Sequence, residues 1–490
     1  MTTLDELLAR IERAPAGPAV LAAFDYDGTI VAGYSATAFY AHRLRQRQIG
    51  LGELAELLRA RRRGLVDDAA FAGFLDASLA RLAGHDADEL HALGRRLFKQ
   101  RIAAQLRRET YALIEAHRRR GHTLVLASSA LPFQTEPAAD ALELDRVLCT
   151  RAAVRDGRLT GRRDGPPLWG VEKAAALTRL ADRLGADVGA SFAYSNGGED
   201  VPFLAAVGHG AAIAPDDDLR RAAARHGWPL LECREPAPRP RAGDVARTVG
   251  LYGGFAAAMG TATGVGLARR SRPAFLDLAI GVGADVSLAA AGVDVRVLRG
   301  AEHLWSARPC VFVFNHSSKL DAIVMMKLLR EGFTGITKAE AKKVPMFGQL
   351  FQLAGMAMID RSDGRAAIAQ MQPVVEQLRR GVSLAVSPEG TRTPTPRLGP
   401  FKKGPFHVAM QAQVPIVPIV FRGIDEVQWR GAQLVRPGTV EVVVLPPVAT
   451  GEWRPETVAV HRDHVRELML AALDDWPAAA PARLPAGAAR

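Results

Sequence analysis

Short apolar runs, each ending at polar residues, alternate with amphipathic stretches along the first 233 positions of the chain. The runs at Ala19–Phe24, His122–Ala127 and Ala190–Tyr194 predict strands. Because these runs are apolar along most of their length, they are typical of a parallel sheet with helices on both faces. Residues 35–118 contain no comparable run and carry Leu, Ala and Arg at helical spacing, which predicts a helical insertion after the first strand.

A second set of apolar runs predicts five further strands: Cys310–Phe314, Met356–Ile359, Ser383–Val386, Ile416–Val420 and Val440–Leu445. Residues 234–243, REPAPRPRAG, separate the two sets and have the prolines and the missing apolar periodicity of a linker. Residues 477–490 have the composition of a flexible tail. We therefore predict an α/β protein of two α/β domains, 1–233 and 294–476, with residues 244–293 between the linker and the second domain.

Between the linker and the second domain lies Val249–Ala268, a stretch of twenty residues without a charge. A helix of that length spans about 30 Å, the thickness of the hydrocarbon core of a bilayer. The stretch Ala274–Val293 that follows contains Asp277 and Asp285, which argue against a second free span. Since the first stretch is rich in Gly and Ala, three interpretations stay open: an interfacial helical hairpin, a membrane span, and a buried helix of a soluble domain.

Composition and charge narrow the class of protein. Of the 490 residues, 48% are hydrophobic and 23% are charged, which excludes wholesale disorder. Residues 1–233 carry 31 basic and 30 acidic side chains, a balance of +1, whereas residues 234–490 carry 32 and 22, a balance of +10. The second part is therefore expected to meet anionic lipid, a polyphosphate-bearing cofactor or nucleic acid. Few aromatic residues interleave with the basic ones, so we expect no nucleic acid partner.

Cysteine usage and the N-terminus bear on the compartment. Cys149, Cys233 and Cys310 show neither paired nor metal-type spacing, which predicts a reducing compartment without disulfides. The opening MTTLDELLARIERA lacks the apolar run of a signal peptide. We expect synthesis in the cytoplasm, with membrane attachment left open.

Two carboxylates, Asp25 and Asp27, stand two positions apart where the first predicted strand ends, in the sequence LAAFDYDGT. In an extended chain both side chains point to the same face, and Gly28 then lets the chain turn away. Ligand sites of parallel sheets lie at such carboxyl ends of strands. Two carboxylates this close repel each other unless one takes up a proton or a cation lies between them. From spacing alone, the pair is either a site that handles phosphate or an ordinary polar turn.

These residues resemble the haloacid dehalogenase superfamily, specifically its phosphoserine-phosphatase-like branch, over about residues 17–232. The resemblance implies a Rossmann-like phosphatase fold with residues 35–118 as its helical cap. It implies that Asp25 is the nucleophile that becomes phosphorylated and that Asp27 is the general acid/base. It also implies that Ser128, in LVLAS, holds the phosphoryl oxygens and that Lys173, in GVEKAAAL, balances the charge of the intermediate.

Magnesium is the cofactor that this resemblance implies, with Asp25, Asp27 through its carbonyl, Asn196 and Asp200 as ligands. The stretch YSNGGED departs from the family pattern, which usually has an acidic residue at the position of Asn196. An amide brings an oxygen but no charge, whereas Mg²⁺ favours carboxylate and water ligands. We expect weakened affinity for Mg²⁺ unless Glu199 compensates. Two interpretations stay open: an active phosphatase, and a weakened or regulatory domain.

In the second domain the strand predicted at Cys310–Phe314 runs into NHSSKLD, which carries His316 and Asp321. On a straight helix five residues rotate by about 500°, so the two side chains would not share a face. A loop that enters a helix could bring them together. The carboxylate would then fix the tautomer of a histidine that takes a proton from an attacking hydroxyl. The alternative is an ordinary structural histidine.

A second segment, SLAVSPEGTR, places Arg392 after a glycine turn, and Lys402 and Lys403 follow. Cations grouped at such a turn are typical of an anion site, and the alternative is a solvated basic loop. Together with NHSSKLD, the segment resembles the glycerolipid acyltransferase family, in particular lysophosphatidic acid acyltransferases, over about residues 245–450. Four blocks carry the resemblance: NHSSKLD, MIDR ending at Arg361, PEGTR at 388–392 and VPIVPI at 414–419.

The resemblance implies an acyltransferase α/β fold preceded by a membrane-associating helical element, and residues 244–293 lie in that place. It implies that His316 is the general base and that Asp321 orients it. The groups implied to hold the glycerol phosphate are Arg361, Glu389, Gly390, Thr391 and Arg392, with Lys338 helping to position the substrate. The implied donor is acyl-CoA or acyl carrier protein. The implied partners are lysophosphatidic acid and an anionic membrane surface, at the cytoplasmic face of a membrane.

The main hypothesis is a phosphatase-like domain fused to an acyltransferase that converts lysophosphatidic acid and an acyl thioester to phosphatidic acid. The alternative makes a Mg²⁺-dependent phosphatase, acting on phosphoserine or a lipid phosphate, the working enzyme. A third hypothesis treats the first domain as a non-catalytic assembly or regulatory module.

Overall fold

The computed structural model describes residues 2–49, 68–236, 241–338, 348, 356–359, 371–429 and 432–477. The chain divides into two compact units, residues 1–238 and 239–490. The division falls inside residues 234–243, the stretch that the sequence predicts as a linker. The finer partition of the second part at residues 293 and 476 stays a prediction.

The strands of the first unit are β1 (Leu21–Asp25), β2 (Thr123–Ser128), β3 (Arg146–Cys149), β4 (Ala152–Arg155), β5 (Arg158–Arg163), β6 (Phe192–Ser195), β7 (His209–Ile213) and β8 (Leu230–Leu231). Six of them form a sheet in the order β3-β2-β1-β6-β7-β8, in which all neighbours are parallel. β4 and β5 form a separate antiparallel pair. The sequence places β1, β2 and β6 within two residues at each end.

The helices of the first unit are α1 (Leu4–Arg13), α2 (Ala36–Arg45), α3 (Asp68–Ala80), α4 (Ala87–Leu97), α5 (Arg108–Arg119), α6 (Pro132–Leu142), α7 (Gly170–Leu184), α8 (Val201–Ala205) and α9 (Asp217–His226). A π-helical turn at Phe98–Ile102 and 3-10 turns at Ala103–Gln105 and Gly198–Asp200 complete the described elements.

Alternate residues of β1 pack into two different cores. Ala22 and Phe24 lie in the cluster that contains residues of α1, α5 and α6, whereas Leu21 and Ala23 lie in the cluster formed with α7, α8 and α9. Every residue of β1 is buried, which is why the strand is apolar up to Asp25 rather than alternating. The predicted α/β class, a parallel sheet covered on both faces, is confirmed for this unit.

The helical insertion is shorter than the predicted residues 35–118. Residues of α3 and α4, such as Phe71 and Leu90, pack with Phe133 and with Leu159 of β5 in a core of their own. Helix α5 instead lies on the sheet, because its apolar residues, including Leu113, belong to the sheet core. The antiparallel pair β4–β5 thus joins the insertion, and α5 does not.

The strands of the second unit are β9 (Val293–Arg299), β10 (Val311–Phe314), β11 (Phe333–Lys338), β12 (Ala357–Ile359), β13 (Ser383–Val386), β14 (Ile416–Arg422) and β15 (Gly438–Val444). They form one sheet in the order β12-β11-β13-β10-β14-β15-β9. Neighbours are parallel except β14 and β15, which are antiparallel. The sequence did not predict β9 or β11.

The helices of the second unit are α10 (Ala242–Ala268), α11 (Arg272–Ala291), α12 (His303–Ser306), α13 (Asp321–Leu329), α14 (Gln372–Arg379), α15 (Gly404–Ala412), α16 (Ile424–Val427) and α17 (Val458–Asp474). Alternate residues of β10, like those of β1, pack into two different cores. Phe312 and Phe314 pack with α10, α11 and α13, whereas Val311 and Val313 pack with α14, α15 and α17.

Helices α10 and α11 form an antiparallel hairpin whose contact surface is lined by small residues. A Cβ added at Gly250 would lie 3.3 Å from the carbonyl oxygen of Ala290, and one added at Gly254 would lie 3.1 Å from Val286. The Gly- and Ala-rich composition therefore lets the two helices approach closely. Phe255 is buried in the core shared with the sheet.

The opposite side of the hairpin is exposed and apolar. Val249 is 66% exposed, Leu267 is 74% exposed, and Tyr252 lies between them on α10. No helix in the described part of the chain combines the length and the apolarity needed to cross a bilayer. Asp285, on α11, is paired within the unit: Lys327 Nζ lies 2.8 Å and Arg330 Nη1 3.0 Å from its carboxylate.

Candidate functional site

The first candidate site lies at the carboxyl end of β1, between β2 and β6. Asp25 is the last residue of β1 and pairs in register with Ala127, so Ser128 lies one position beyond it at the end of β2. The chain turns at Gly28, where φ is +93°, a value that glycine adopts without strain. Arg107, just before α5, fixes this turn because its Nε donates to the Gly28 carbonyl at 2.8 Å.

Lys173, Asp25 and Asp200 form a buried ionic group. Lys173 Nζ lies 2.7 Å from Asp25 Oδ1 and 2.6 Å from Asp200 Oδ2, and the Ser195 hydroxyl also donates to Asp200 Oδ2 at 2.6 Å. Burial alone would lower the pKa of Lys173, but the two carboxylates outweigh it and raise that pKa. Burial also raises the pKa of Asp25 to about 6, with Lys173 opposing the change.

Asp27 is held by the residue that precedes α2. The backbone N–H of Ser35 donates to Asp27 Oδ1 at 2.6 Å, and its hydroxyl donates to Oδ2 at 3.0 Å. Burial raises the pKa of Asp27 to about 7 in spite of these bonds. A carboxyl group with a pKa near neutrality is suited to proton transfer. The acid/base role that the resemblance implies for Asp27 stays a prediction.

The orientation of the Asn196 side chain decides whether this site fits a divalent cation. Thr29 Oγ1 lies 3.0 Å from Asp25 Oδ2 and 3.1 Å from the side-chain amide of Asn196. The oxygens around this amide are better satisfied when its nitrogen, and not its oxygen, faces them. In that orientation Nδ2 lies 3.1 Å from Thr29 Oγ1, 3.0 Å from the Asp27 carbonyl oxygen and 3.3 Å from Asp25 Oδ2. The amide N–H groups thus point at two of the oxygens that the sequence assigned to Mg²⁺.

The other carboxylates near the predicted Mg²⁺ site, Asp200 and Glu199, do not compensate for the amide. Asp200 Oδ2 is taken by Lys173 and Ser195, and burial raises the pKa of Glu199 to about 7, which weakens its charge at neutral pH. In the described residues no three His, Cys, Asp or Glu side chains are grouped so that they could hold a metal ion. With the Asn196 amide nitrogen facing the Asp27 carbonyl and Asp25 Oδ2, the residues present do not fit Mg²⁺. The four-ligand set stays a prediction from the sequence.

The second candidate site lies where β10 ends and α13 begins. His316 Nδ1 lies 2.6 Å from Asp321 Oδ2, and the same carboxylate oxygen accepts the backbone N–H groups of Ser317 at 3.0 Å and Ser318 at 3.1 Å. His316 is in the loop and Asp321 is the first residue of α13. The loop that enters a helix, as considered from the sequence, is the arrangement observed.

The geometry fixes the tautomer of His316. A carboxylate only accepts hydrogen bonds, so Nδ1 carries the hydrogen in the neutral ring and Nε2 carries the lone pair. Asp321 is fully buried, whereas 30% of the His316 side chain is exposed. A buried carboxylate behind a partly exposed imidazole is the arrangement needed for a general base that works on a molecule from solution.

Glu389 lies under this loop. Its Oε1 accepts the backbone N–H of His316 at 2.8 Å, and its Oε2 accepts the backbone N–H of Gly399 at 2.9 Å. Burial raises the pKa of Glu389 to about 7, and these two N–H groups oppose the change. Both oxygens thus hold the backbone around His316, and the role of Glu389 in substrate binding stays a prediction.

Arg392 lies beside the histidine loop. The neighbouring Thr393 donates its backbone N–H to the His316 carbonyl at 2.8 Å. Arg392 Nη1 is buried and has no hydrogen-bond partner among the residues that the structure describes. Together with burial, its charge lowers the pKa of Lys319. Two cations therefore lie near the histidine, one with a donor that no described residue satisfies.

The remaining predicted residues are placed only in part. Gly390 turns the chain with φ +72°, and Thr391 is exposed. Lys338 ends β11, where its backbone pairs with Ile359, and Arg361 lies outside the described residues. Lys402 donates its backbone N–H to the Pro388 carbonyl at 2.7 Å, which brings the KKG stretch back to the PEGTR turn.

Several residues that organise these sites were not predicted. Thr29, Ser195 and Asn315 stand within two positions of predicted residues and carry polar side chains, so the sequence held a local signal for them. No local pattern indicated the partner of Asn315, because the backbone of Phe421, with which it exchanges two hydrogen bonds of 2.9 and 2.7 Å, is on another strand.

Comparison with known proteins agrees with this division. Residues 22–205 match the model of the haloacid dehalogenase-like hydrolase family, and residues 295–422 match the acyltransferase family model. The chain thus joins a region similar to haloacid dehalogenase-like hydrolases to a region similar to acyltransferases. The acyltransferase match begins inside β9 and ends with β14.

The acyltransferase domain is similar to curated 1-acyl-sn-glycerol-3-phosphate acyltransferases. It is 36% identical over 183 residues to the protein of Limnanthes douglasii, covering 36% of this chain and 64% of the relative. It is 40% identical over 181 residues to the alpha form of Mus musculus, covering 36% of this chain and 63% of the relative. The chain thus spans less than two thirds of the length of these relatives.

Solved structures similar to each domain are also known. The 1-acyl-sn-glycerophosphate acyltransferase PlsC of Thermotoga maritima is 22% identical, with a TM-score of 0.41, covering 48% of this chain and 97% of that one. A phosphoserine phosphatase in its apo form is 19% identical, with a TM-score of 0.34, covering 44% of this chain and 94% of that one.

Proposed function

We propose that the second unit transfers a fatty acyl group from an acyl thioester to the free hydroxyl of lysophosphatidic acid, giving phosphatidic acid. The observation that carries the proposal is the 2.6 Å contact between His316 Nδ1 and the buried carboxylate of Asp321. The similarity of residues 295–422 to acyltransferases supports it. The names of the relatives supply the acceptor.

The reaction follows from the tautomer of His316. Nε2 removes the proton from the acceptor hydroxyl while the hydroxyl oxygen attacks the thioester carbonyl. Asp321 stabilises the imidazolium that forms. The tetrahedral intermediate then collapses, the C–S bond breaks, and the thiolate takes the proton from Nε2. The new ester bond and the free thiol balance the hydroxyl and the thioester that were consumed.

The phosphate of the acceptor is proposed to bind at Arg392. A planar guanidinium donates two parallel hydrogen bonds to a phosphate, and buried Nη1 is a donor in need of an acceptor. Gly390 and Thr391 shape the turn that presents it. Arg361 and Lys338 stay predictions for the same site. Glu389 contributes by holding the backbone of His316.

Three further assignments accompany the proposal. The donor is acyl-CoA or acyl carrier protein, whose phosphates suit the +10 balance of residues 234–490. The exposed apolar side of the α10–α11 hairpin, with Arg269 and Arg270 exposed at its tip, rests on an anionic membrane surface at the cytoplasmic face. No magnesium step and no hydrolytic step are assigned to the first unit, because Asn196 points N–H groups at the expected ligand oxygens.

The test is acyl transfer by the purified full chain, with labelled acyl-CoA or acyl carrier protein and lysophosphatidic acid in mixed micelles. His316→Ala removes the base and should lower the rate by about 10²–10⁴-fold. His464→Ala, on the exposed side of α17, is the matched control and should leave the rate unchanged. An inactive wild type with either donor, or a His316→Ala variant as active as the control, would refute the proposal.

A further inference from the structure

We propose that the Asn196 amide takes the place of the divalent cation in the first unit, so that this site is closed by internal donors and binds no Mg²⁺. The inference concerns the haloacid dehalogenase-like domain and is independent of acyl transfer. It starts from three contacts of one nitrogen: Nδ2 lies 3.0 Å from the Asp27 carbonyl oxygen, 3.1 Å from Thr29 Oγ1 and 3.3 Å from Asp25 Oδ2.

The hydrogens of the amide, rather than the distances, oppose an ion among these atoms. Mg²⁺ holds oxygen ligands at about 2.0–2.1 Å and requires lone pairs that point at it. The Asn196 nitrogen offers hydrogens instead, and it is already in hydrogen-bond contact with the carbonyl and the carboxylate. A cation could enter only if this side chain moved away, which would leave the Asp27 carbonyl and Thr29 hydroxyl without that donor.

The turn at Gly28, on the other side of the amide, is packed closely against Asn196 and held in place by hydrogen bonds. A Cβ added at Gly28 would overlap the Asn196 side chain, which shows how closely the amide and the turn are packed. The turn itself is fixed, since Arg107 Nε donates to the Gly28 carbonyl and the Thr110 hydroxyl donates to the Thr29 carbonyl at 2.7 Å. Asn196 thus fits a cavity bounded by a rigid loop.

The carboxylates of the site also have partners without a metal. Asp25 Oδ1 and Asp200 Oδ2 share the Lys173 ammonium group, and Ser195 gives Asp200 a further hydrogen bond. Asp25 Oδ2 accepts from Thr29 and from the amide. Asp27 accepts two hydrogen bonds from Ser35. The carboxylates that would attract a cation are therefore already paired or hydrogen-bonded.

A single substitution should reverse this state. Asn196→Asp is isosteric, but it replaces the N–H donor by a charged oxygen that faces three oxygen atoms. Without a cation that arrangement is repulsive, and a divalent ion among the oxygens would relieve it. The variant should therefore be less stable than wild type in the absence of metal and should regain stability on binding Mg²⁺ or Mn²⁺.

The experiment uses the full chain as wild type, Asn196→Asp, Asn196→Ala, Asp25→Asn and Asn196→Asp/Asp25→Asn. Bound Mn²⁺ is counted by electron paramagnetic resonance, and the melting temperature is measured with EDTA and with about 10 mM MgCl₂, since a ligand that binds only the folded state raises it. Asn196→Ala removes the amide donors without adding a carboxylate.

We expect no added Mn²⁺ for wild type and Asn196→Ala, and one added ion per chain for Asn196→Asp that the second change abolishes. The melting temperature of Asn196→Asp should rise by several degrees with MgCl₂, while that of wild type should stay constant. Wild-type Mn²⁺ binding that Asp25→Asn removes would overturn the inference. So would a folded Asn196→Asp variant that gains no ion.

Discussion

His316 Nδ1 and Asp321 Oδ2 lie 2.6 Å apart although a straight helix would place residues five positions apart on different faces. The loop from β10 reverses so that the first residue of α13 accepts the ring hydrogen and two backbone N–H groups. Sequence spacing alone therefore argued against a contact between the two residues. The contact forms because His316 lies in a loop and only Asp321 lies in the helix.

Replacing Asp321 by Asn tests the charge behind His316. The backbone N–H groups of Ser317 and Ser318 keep the amide oxygen at His316 Nδ1, so the tautomer is retained but the negative charge that stabilises the imidazolium is lost. The acyl transfer rate should therefore fall by roughly 10²–10⁴-fold. The rate is measured at saturating substrates, with exposed Asp463→Asn as control. Near-normal activity of Asp321→Asn would contradict the assignment.

Replacing Glu389 by Gln tests the proposed positioning role. One amide group would then face a backbone N–H, either of His316 or of Gly399, and two donors would confront each other in the interior. The free energy of unfolding of the second unit should fall by about 1–3 kcal/mol, the cost of leaving a buried donor unsatisfied. Urea unfolding measures it, with exposed Glu467→Gln as the matched control.

Rates in the same Glu389→Gln protein separate positioning from ligand contact. Since Glu389 acts through the backbone of His316, its loss should lower kcat with little change in the KM for lysophosphatidic acid. A large rise in KM at unchanged stability would return Glu389 to the substrate-binding role that the sequence predicted.

The exposed side of the hairpin predicts how the protein meets lipid. Val249→Glu with Leu267→Glu places two charges on the apolar side of α10 and should weaken binding to vesicles of anionic lipid by 10-fold or more, by an estimate of about 1.5–3 kcal/mol per buried side chain. The unit should stay folded because both residues are largely exposed. Val460→Glu is the control, as Val460 is 67% exposed on α17. Equal weakening by the control would argue against a docking surface on the hairpin.

A chain of neutral rings in the first unit predicts acid sensitivity. The Tyr194 hydroxyl bonds to His117 Nε2 at 2.8 Å, His117 Nδ1 to His122 Nδ1 at 2.7 Å, and His122 Nε2 to the Pro15 carbonyl at 2.9 Å. The carbonyl can only accept, so one direction of donation satisfies every member with both rings neutral. Burial lowers the pKa of both histidines below the ordinary 6.5.

The sign of the effect follows from those lowered pKa values. Above about pH 6.5 both the folded and the unfolded states hold neutral rings, so stability does not vary with pH through these groups. As the pH falls below that value, the two histidines take up protons in the unfolded chain but stay neutral in the folded unit. The free energy of unfolding therefore decreases. Thermal unfolding between pH 7 and pH 5 should show this loss. It should be smaller in His117→Gln, whose amide can keep both bonds without titrating; an unchanged slope would contradict the prediction.

Strands with uniform burial were the elements that the sequence revealed best. Every residue of β1 and β13 is buried, all but one residue of each strand is apolar, and their positions were predicted within two residues. β9 was missed because VDVRVLR alternates between buried and exposed residues and follows directly on a helix. The helical insertion was predicted too long, because periodicity does not tell α5, which packs on the sheet, from helices that pack elsewhere.

The sequence identified candidate site residues more easily than it predicted how their side chains are oriented. Motifs drew attention to Asn196 and Glu389, but only the folded chain brings Thr29 beside the amide or the N–H of Gly399 beside the carboxylate. These contacts join segments 10 to 167 residues apart. No local pattern encodes them, since each depends on how separate loops meet.

The place of β9 in the sheet sets a limit on how the acyltransferase can be shortened. It pairs in parallel with β15 along Val293–Arg299. Because β9 comes directly after α11, the same segment connects the α10–α11 hairpin to the sheet. A protein that began after β9 would leave one side of β15 with a row of unsatisfied peptide groups, a template for joining other chains. The natural starting point for an independent second unit is therefore before α10, some fifty residues upstream of the family match.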